Sequence, residues 1–112
     1  MRPLERVKRR LAGEPVDRAP NFDIHMQRAA RQVGRPLRGY YLDHRVLAEA
    51  NLAVLEAFDV DVVQAISDPY REACDLGLDV EFPEASLPVR RPILLEEPGD
   101  ADRLTRVAPE DG

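Results

Sequence analysis

The chain has 112 residues, with 16 Lys+Arg against 21 Asp+Glu and a net charge of −5. That length makes one domain the expectation, and 44% hydrophobic residues provide for a modest core, which excludes disorder by composition. No apolar run approaches the ~20 residues that a membrane helix requires. The basic start MRPLERVKRRLAGE is followed by no apolar stretch of a secretory signal, and a single cysteine, Cys74, excludes a disulfide framework and a local cysteine-based zinc cage. A cytoplasmic address without membrane contact is expected.

Charge is unevenly distributed. Residues 1–40 hold ten Lys/Arg and four Asp/Glu, whereas residues 41–112 hold six and seventeen. A basic half invites a nucleic-acid reading. Its cations, however, alternate with Leu4, Val7 and Leu11 at helical spacing, and the first 39 residues contain one aromatic for base stacking. A solvated basic face that pairs with the acidic half of the same chain is the expectation.

Leu4, Val7 and Leu11 recur at i, i+3 and i+7, Pro3 suits a first helical turn, and Gly13 is a stop, so residues 3–12 are predicted as a short amphipathic helix. Pro15 and Pro20 bracket a turn. Asn21-Phe22-Asp23-Ile24 alternates as a short strand does. His25 to Val33 suits a helix ending at Gly34, and GRPLRGYY reads as a loop from its two glycines and proline. Asp43 is the expected N-cap of the strongest helix, DHRVLAEANLAVLEAF. Leu47, Ala50, Val54 and Phe58 share one of its faces, and Val46, Ala53 and Ala57 widen that stripe enough to predict burial on more than one side. Val60 to Ile66 is β-branched and short, as a strand covered on both faces would be. Ser67-Asp68-Pro69 leads into a helix over 70–76 closed by Gly77, and Leu78 to Phe82 alternates like a half-exposed strand. Prolines and an acidic run around Glu96 to Asp102 follow, and no internal repeat is present. Strands alternating with helices predict an α/β fold with a mainly parallel sheet. Two or three strands cannot be covered on both faces, so the chain is expected to be part of a larger fold.

Several side chains suit chemistry. Arg31 and Arg35 carry planar, permanently charged forks that match carboxylates, and they equally suit the solvated side of a helix and loop. Asp68 follows a predicted strand and suits either an electrostatic role or a helix N-cap ahead of Pro69. His25 follows the first predicted strand, where it would touch a ligand or simply occupy a loop. His25, His44 and Cys74 are separated by element boundaries and make no metal set. Cys74 fits a small buried apolar residue better than a nucleophile.

ERVKRRLAGEPVDRAP followed by a strand resembles the opening of the uroporphyrinogen decarboxylase family. GRPLRGYYLDHRVLAEANLAVLEAFDVDVV, QAISDPYREACDLGLDVEFPE and LPVRRPILLEEPGDADRL continue the resemblance in order over nearly the whole chain. It implies the N-terminal portion of a (β/α)8 barrel, an architecture of ~250 residues or more. The expected division is an N-terminal helix and turn at 1–19, the first barrel strands and helices at 20–95, and an acidic loop or linker at 96–112.

The family's two branches imply different chemistry. In the decarboxylases, an Arg-Gln-Ala-Gly-Arg segment holds the carboxylates of a tetrapyrrole and an Asp in Phe-Ser-Asp faces its pyrrole nitrogens, without a cofactor. Arg31-Gln32-Val33-Gly34-Arg35 and Ile66-Ser67-Asp68 are the nearest matches, which makes Arg31 and Arg35 candidate substrate contacts and Asp68 the candidate catalytic residue; His25, after the first predicted strand, is a further candidate contact at the barrel mouth. The other branch transfers a methyl group from a corrinoid protein to a thiol or other acceptor activated by zinc, which is held by a His-x-Cys and a later Cys. The late position of the arginine segment and Arg71-Glu72-Ala73 after the Asp favour this methyltransferase-like branch. A true uroporphyrinogen III decarboxylase is the alternative within the family, and a self-contained α/β binding or assembly module is the alternative outside it. The isolated chain binds no cofactor by this reading, and is expected to lack turnover and to self-associate through open strand edges.

Overall fold

The computed structural model describes residues 1–91, 95–104 and 108. Its helices are α1 (Pro3–Leu11), α2 (Met26–Gln32), α3 (Leu37–Leu42), α4 (His44–Ala57) and α5 (Arg71–Asp75). A hairpin of β1 (Val80–Glu81) and β2 (Val89–Arg90) follows, and then a 3-10 helix over Pro98–Arg103.

Three helices make the core. Ala29 and Ala30 of α2 and Ala50 of α4 are fully buried, and such small residues let the two helices approach closely. Leu37, Tyr40 and Tyr41 of α3 close the same core with Val54 and Val60, and Met26, Val33, Leu47, Phe58 and Phe82 pack around it. Asp43 caps α4 as its position predicts, accepting from the Arg45 N–H at 2.8 Å. Gly34 closes α2 at φ +65° and Gly77 follows α5 at φ +105°, a region that side chains with a Cβ avoid.

Four expectations are corrected. GRPLRGYY is not a loop throughout: Leu37–Leu42 is helical, because burying Leu37, Tyr40 and Tyr41 outweighs the low helix propensity of Gly39. Asn21 to Ile24 and Val60 to Ile66 form no strands. They meet through one backbone bond, Asp61 N–H to the Asn21 carbonyl at 3.0 Å. The returning Asn21 N–H donates to the Asp61 carboxylate at 2.8 Å, so no ladder propagates. Val63 and Ile66 are exposed accordingly. The one sheet among the described residues is antiparallel, with Val80 opposite Arg90 and Glu81 opposite Val89, in place of a parallel sheet. Finally, α4 is buried on one face only, since Leu52 and Leu55 on its other side are open to solvent.

The acidic run holds the 3-10 helix, whose Asp100 accepts from the Glu96 and Glu97 N–H groups. The expected linker over 96–112 otherwise lies, past Leu104 and apart from Ala108, outside the described residues. The radius of gyration is 17.7 Å, against about 13 Å for a compact domain of this length. The three-helix core therefore gathers only part of the chain.

Candidate functional site

Two polar centres stand out, and they lie in different parts of the chain. The first is the Ser67-Asp68-Pro69 turn. The Asp68 side chain has no exposed surface. Its Oδ1 accepts from the Tyr70 N–H at 2.8 Å, and its Oδ2 accepts from the Ser67 hydroxyl at 2.8 Å. Asp68 thus folds the turn ahead of α5 and does not cap the helix: the N-cap is Tyr70, which has no side-chain cap bond, and Pro69 lies before it. Arg71 reaches back from α5: its Nη2 donates to the Tyr41 carbonyl and lies 3.9 Å from Asp68 Oδ2.

Beside this turn is a cleft of about 310 Å³. Tyr40 and Tyr41 of α3 and His44 and Leu47 of α4 form one side, and Ala65, Ser67 and Arg71 form the other. The Tyr40 hydroxyl donates to the Ile66 carbonyl at 3.2 Å and accepts from Asn51 Nδ2 at 3.3 Å, which ties the core to the segment before Asp68. Burial pushes the Tyr40 phenol up, so it remains neutral and able to donate. The Tyr41 hydroxyl is buried without a hydrogen-bond partner among the described residues.

The other residues singled out by sequence lie elsewhere. Arg31 lines an open groove with Gln27, Arg28 and Gln32. Arg35 is exposed and pairs with Glu49 at 3.6 Å. His25 precedes α2 and stacks on Phe58 at 5.9 Å between ring centroids, while the Arg28 guanidinium covers the same Phe58 ring at 4.6 Å. The structure therefore places Ser67 and Arg71 on the cleft, with Asp68 buried in the turn between them, and leaves Arg31, Arg35 and His25 off its lining. Burial pushes the Cys74 thiol up, which works against a nucleophile. No group of three His, Cys, Asp or Glu that could hold a metal occurs among the described residues. The zinc implied by the methyltransferase resemblance thus has no matching donor set there, and no step is derived through it.

The second centre escaped sequence reasoning. The Asp61 side chain has no exposed surface and receives Arg6 Nη1 at 2.5 Å and Arg18 Nη1 at 2.5 Å. Arg6 also donates to Asp17 through Nε at 2.6 Å and Nη2 at 2.8 Å, and Arg18 reaches Asp59 at 2.7 Å. Burial would raise the Asp61 carboxyl, but the Asn21 N–H and the Arg18 and Arg6 guanidiniums outweigh it and hold it at about 2. The contact of Arg6 with Asp17 likewise raises the guanidinium and holds the Asp17 carboxyl well below the carboxylate range. The signals available were the pairing expected between the basic and acidic halves, which Arg6 and Arg18 make with Asp59 and Asp61, and an isolated charge in the apolar run Val60-Asp61-Val62-Val63.

The model of the family described as Uroporphyrinogen decarboxylase (URO-D) matches residues 2–112. The chain belongs to the uroporphyrinogen decarboxylase family. No curated protein and no solved structure matches it. No described helix is long and apolar enough to cross a membrane.

Proposed function

We propose that this chain is the N-terminal part of a uroporphyrinogen-decarboxylase-family (β/α)8 barrel enzyme of the methyltransferase-like branch, with the Ser67–Arg71 turn at the mouth of its substrate site. The family match over residues 2–112 carries this reading. The turn follows the Val60 to Ile66 segment, which forms no strand here but has the β-branched composition of one. Barrel enzymes place their chemistry where strands end. The exposed Val63 and Ile66 and the open dimensions fit a portion whose remaining strands lie outside these residues.

The branch preference rests on Arg31 and Arg35, which line surfaces other than the cleft beside Asp68. Carboxylate clamping by that segment asks for both at the cleft. In this branch the partner is a methylated corrinoid protein, and the zinc that would activate the acceptor would need donors other than the described residues. A true uroporphyrinogen III decarboxylase is the second reading, favoured by Ile66-Ser67-Asp68. Assaying the polypeptide that carries this segment for both reactions decides between them. Methyl transfer from a methyl-corrinoid protein to a thiol, without coproporphyrinogen formation, supports the first reading; coproporphyrinogen formation overturns it.

A further inference from the structure

None of the side chains that build the core comes from α1. Arg6 is its buried residue and enters the ion-pair network, while Leu4 is 66% exposed. A shallow groove of about 370 Å³ on α1 is lined by Arg2, Leu4, Glu5, Lys8 and Arg9. Glu5 is taken up by Arg9 at 2.8 Å. Arg2 and Lys8 have no carboxylate in ion-pair reach among the described residues. The groove thus holds two unmatched cations beside an open leucine.

The acidic half carries the complement. Leu95, Glu96 and Glu97 are consecutive and exposed, and Asp102 is exposed on the 3-10 helix that follows. None of these three carboxylates has a cation in ion-pair reach among the described residues, and the neighbouring Arg103 is engaged by Asp100. We propose that the α1 groove is an interface between two copies of this chain. It takes the Leu95-Glu96-Glu97 segment of the second copy, with the leucine against Leu4 and the carboxylates toward Arg2 and Lys8. Charge complementarity selects this occupant. A nucleic acid would match the two cations, but its phosphates would meet Glu5 and leave Leu4 uncovered. Exposed ion pairs are individually weak, so the contact is readily reversed. It is independent of the barrel reading, which the turnover assays test separately.

Sedimentation of the 112-residue chain at low ionic strength, where surface charges act furthest, tests this. Arg2→Glu with Lys8→Glu is expected to weaken association roughly tenfold or more, since attraction becomes repulsion. Glu96→Lys with Glu97→Lys should do the same. A mixture of the two double variants is expected to associate again, because each supplies its unaltered half to the other. That recovery does not depend on whether lysine at position 97 disturbs the 3-10 turn of its own chain. Circular dichroism checks that the α1 variant keeps its helices. Either double variant associating like the native chain, as contact through the open apolar segments would allow, overturns the proposal. So does a mixture that associates no better than its components. A DNA duplex that competes with self-association, and is released by Arg2→Glu with Lys8→Glu, overturns it in favour of nucleic acid.

Discussion

The Arg6 guanidinium donates to the Asp61 carboxylate at 2.5 Å across 55 residues of chain. Arg6 is the only buried residue of α1, while Leu4 and Leu11 on the same helix are exposed. The helix is therefore docked chiefly through charge, with Leu4 and Leu11 of its apolar stripe open and only Val7 half-buried. Removing one partner of such a buried pair leaves the others uncompensated. Asp61→Asn is expected to free α1 while the α2–α4 core persists. Hydrogen exchange over residues 3–11 should accelerate in that variant, with the amides of Ala50 and Val54 still protected.

The same network sets an acid limit. Asp61 is held at about 2, below the ordinary 3.8, so it binds protons less readily folded than unfolded. Its stabilising contribution is thus complete above the unfolded value and is lost as pH falls through the folded one. The melting temperature should decline between about pH 4 and pH 2, and that decline should be shallower in Asp61→Asn. Equal slopes in the two proteins would remove Asp61 from the acid response.

What sequence revealed and what it hid divides along the range of the interactions. The Asp43 cap and the Leu47, Ala50, Val54 and Phe58 stripe act within a few residues, so α4 was legible almost to its ends. Helix α3 was not, because Tyr40 and Tyr41 earn their burial from α2 and α4 rather than from neighbours in sequence. The β-branched Val60 to Ile66 run has strand propensity, yet a strand exists only with a ladder partner. At the site, the N-cap read at Asp68 falls on Tyr70 instead, because the helix starts two residues later and Asp68 folds the turn before it. The Arg71 contact with Tyr41 spans 30 residues and left no local pattern.

Tyr40→Phe tests the bridge between the core and the segment before Asp68. The substitution keeps the ring but leaves the Ile66 carbonyl and the Asn51 amide without the hydroxyl they share. A loss of about 1–3 kcal/mol is expected on chemical denaturation. A change near zero would mean that water replaces the hydroxyl without cost.

Gly39→Ala is expected to act in the opposite direction. A Cβ at Gly39 would meet the Val46 methyls at 3.8 and 3.9 Å, an ordinary contact, and the backbone there is helical. Alanine should stabilise α3 by about 0.5–1 kcal/mol. A fall in melting temperature would show that α3 and α4 pack too closely to admit a methyl group.

Phe22, Ile24, Val63 and Ile66 are exposed, and the segments that carry them pair only at Asn21 and Asp61 among the described residues. Apolar side chains on unpaired backbone recruit other strands. The chain should therefore associate as concentration rises in sedimentation, and should bind a dye that reports apolar surface. A monomer at all concentrations without dye binding would contradict this.

Asp68 offers the sharpest separation of a structural from a chemical role. Asparagine keeps the acceptor for the Tyr70 N–H, and the Ser67 hydroxyl can rotate to accept from the new amide, so the turn survives. Because Asn folds such turns as Asp does, Asp68→Asn should change stability by less than about 1 kcal/mol, whereas Asp68→Ala, which leaves the Tyr70 N–H without its acceptor, should cost about 1–3 kcal/mol. If the carboxylate acts by holding the turn and Arg71, the Asn variant of the complete enzyme keeps most of its turnover and the Ala variant does not. A fall of roughly a hundredfold in the Asn variant, with its melting temperature unchanged, is instead the scale of losing one preorganised electrostatic group. That result would assign the charge of Asp68 itself to the chemistry.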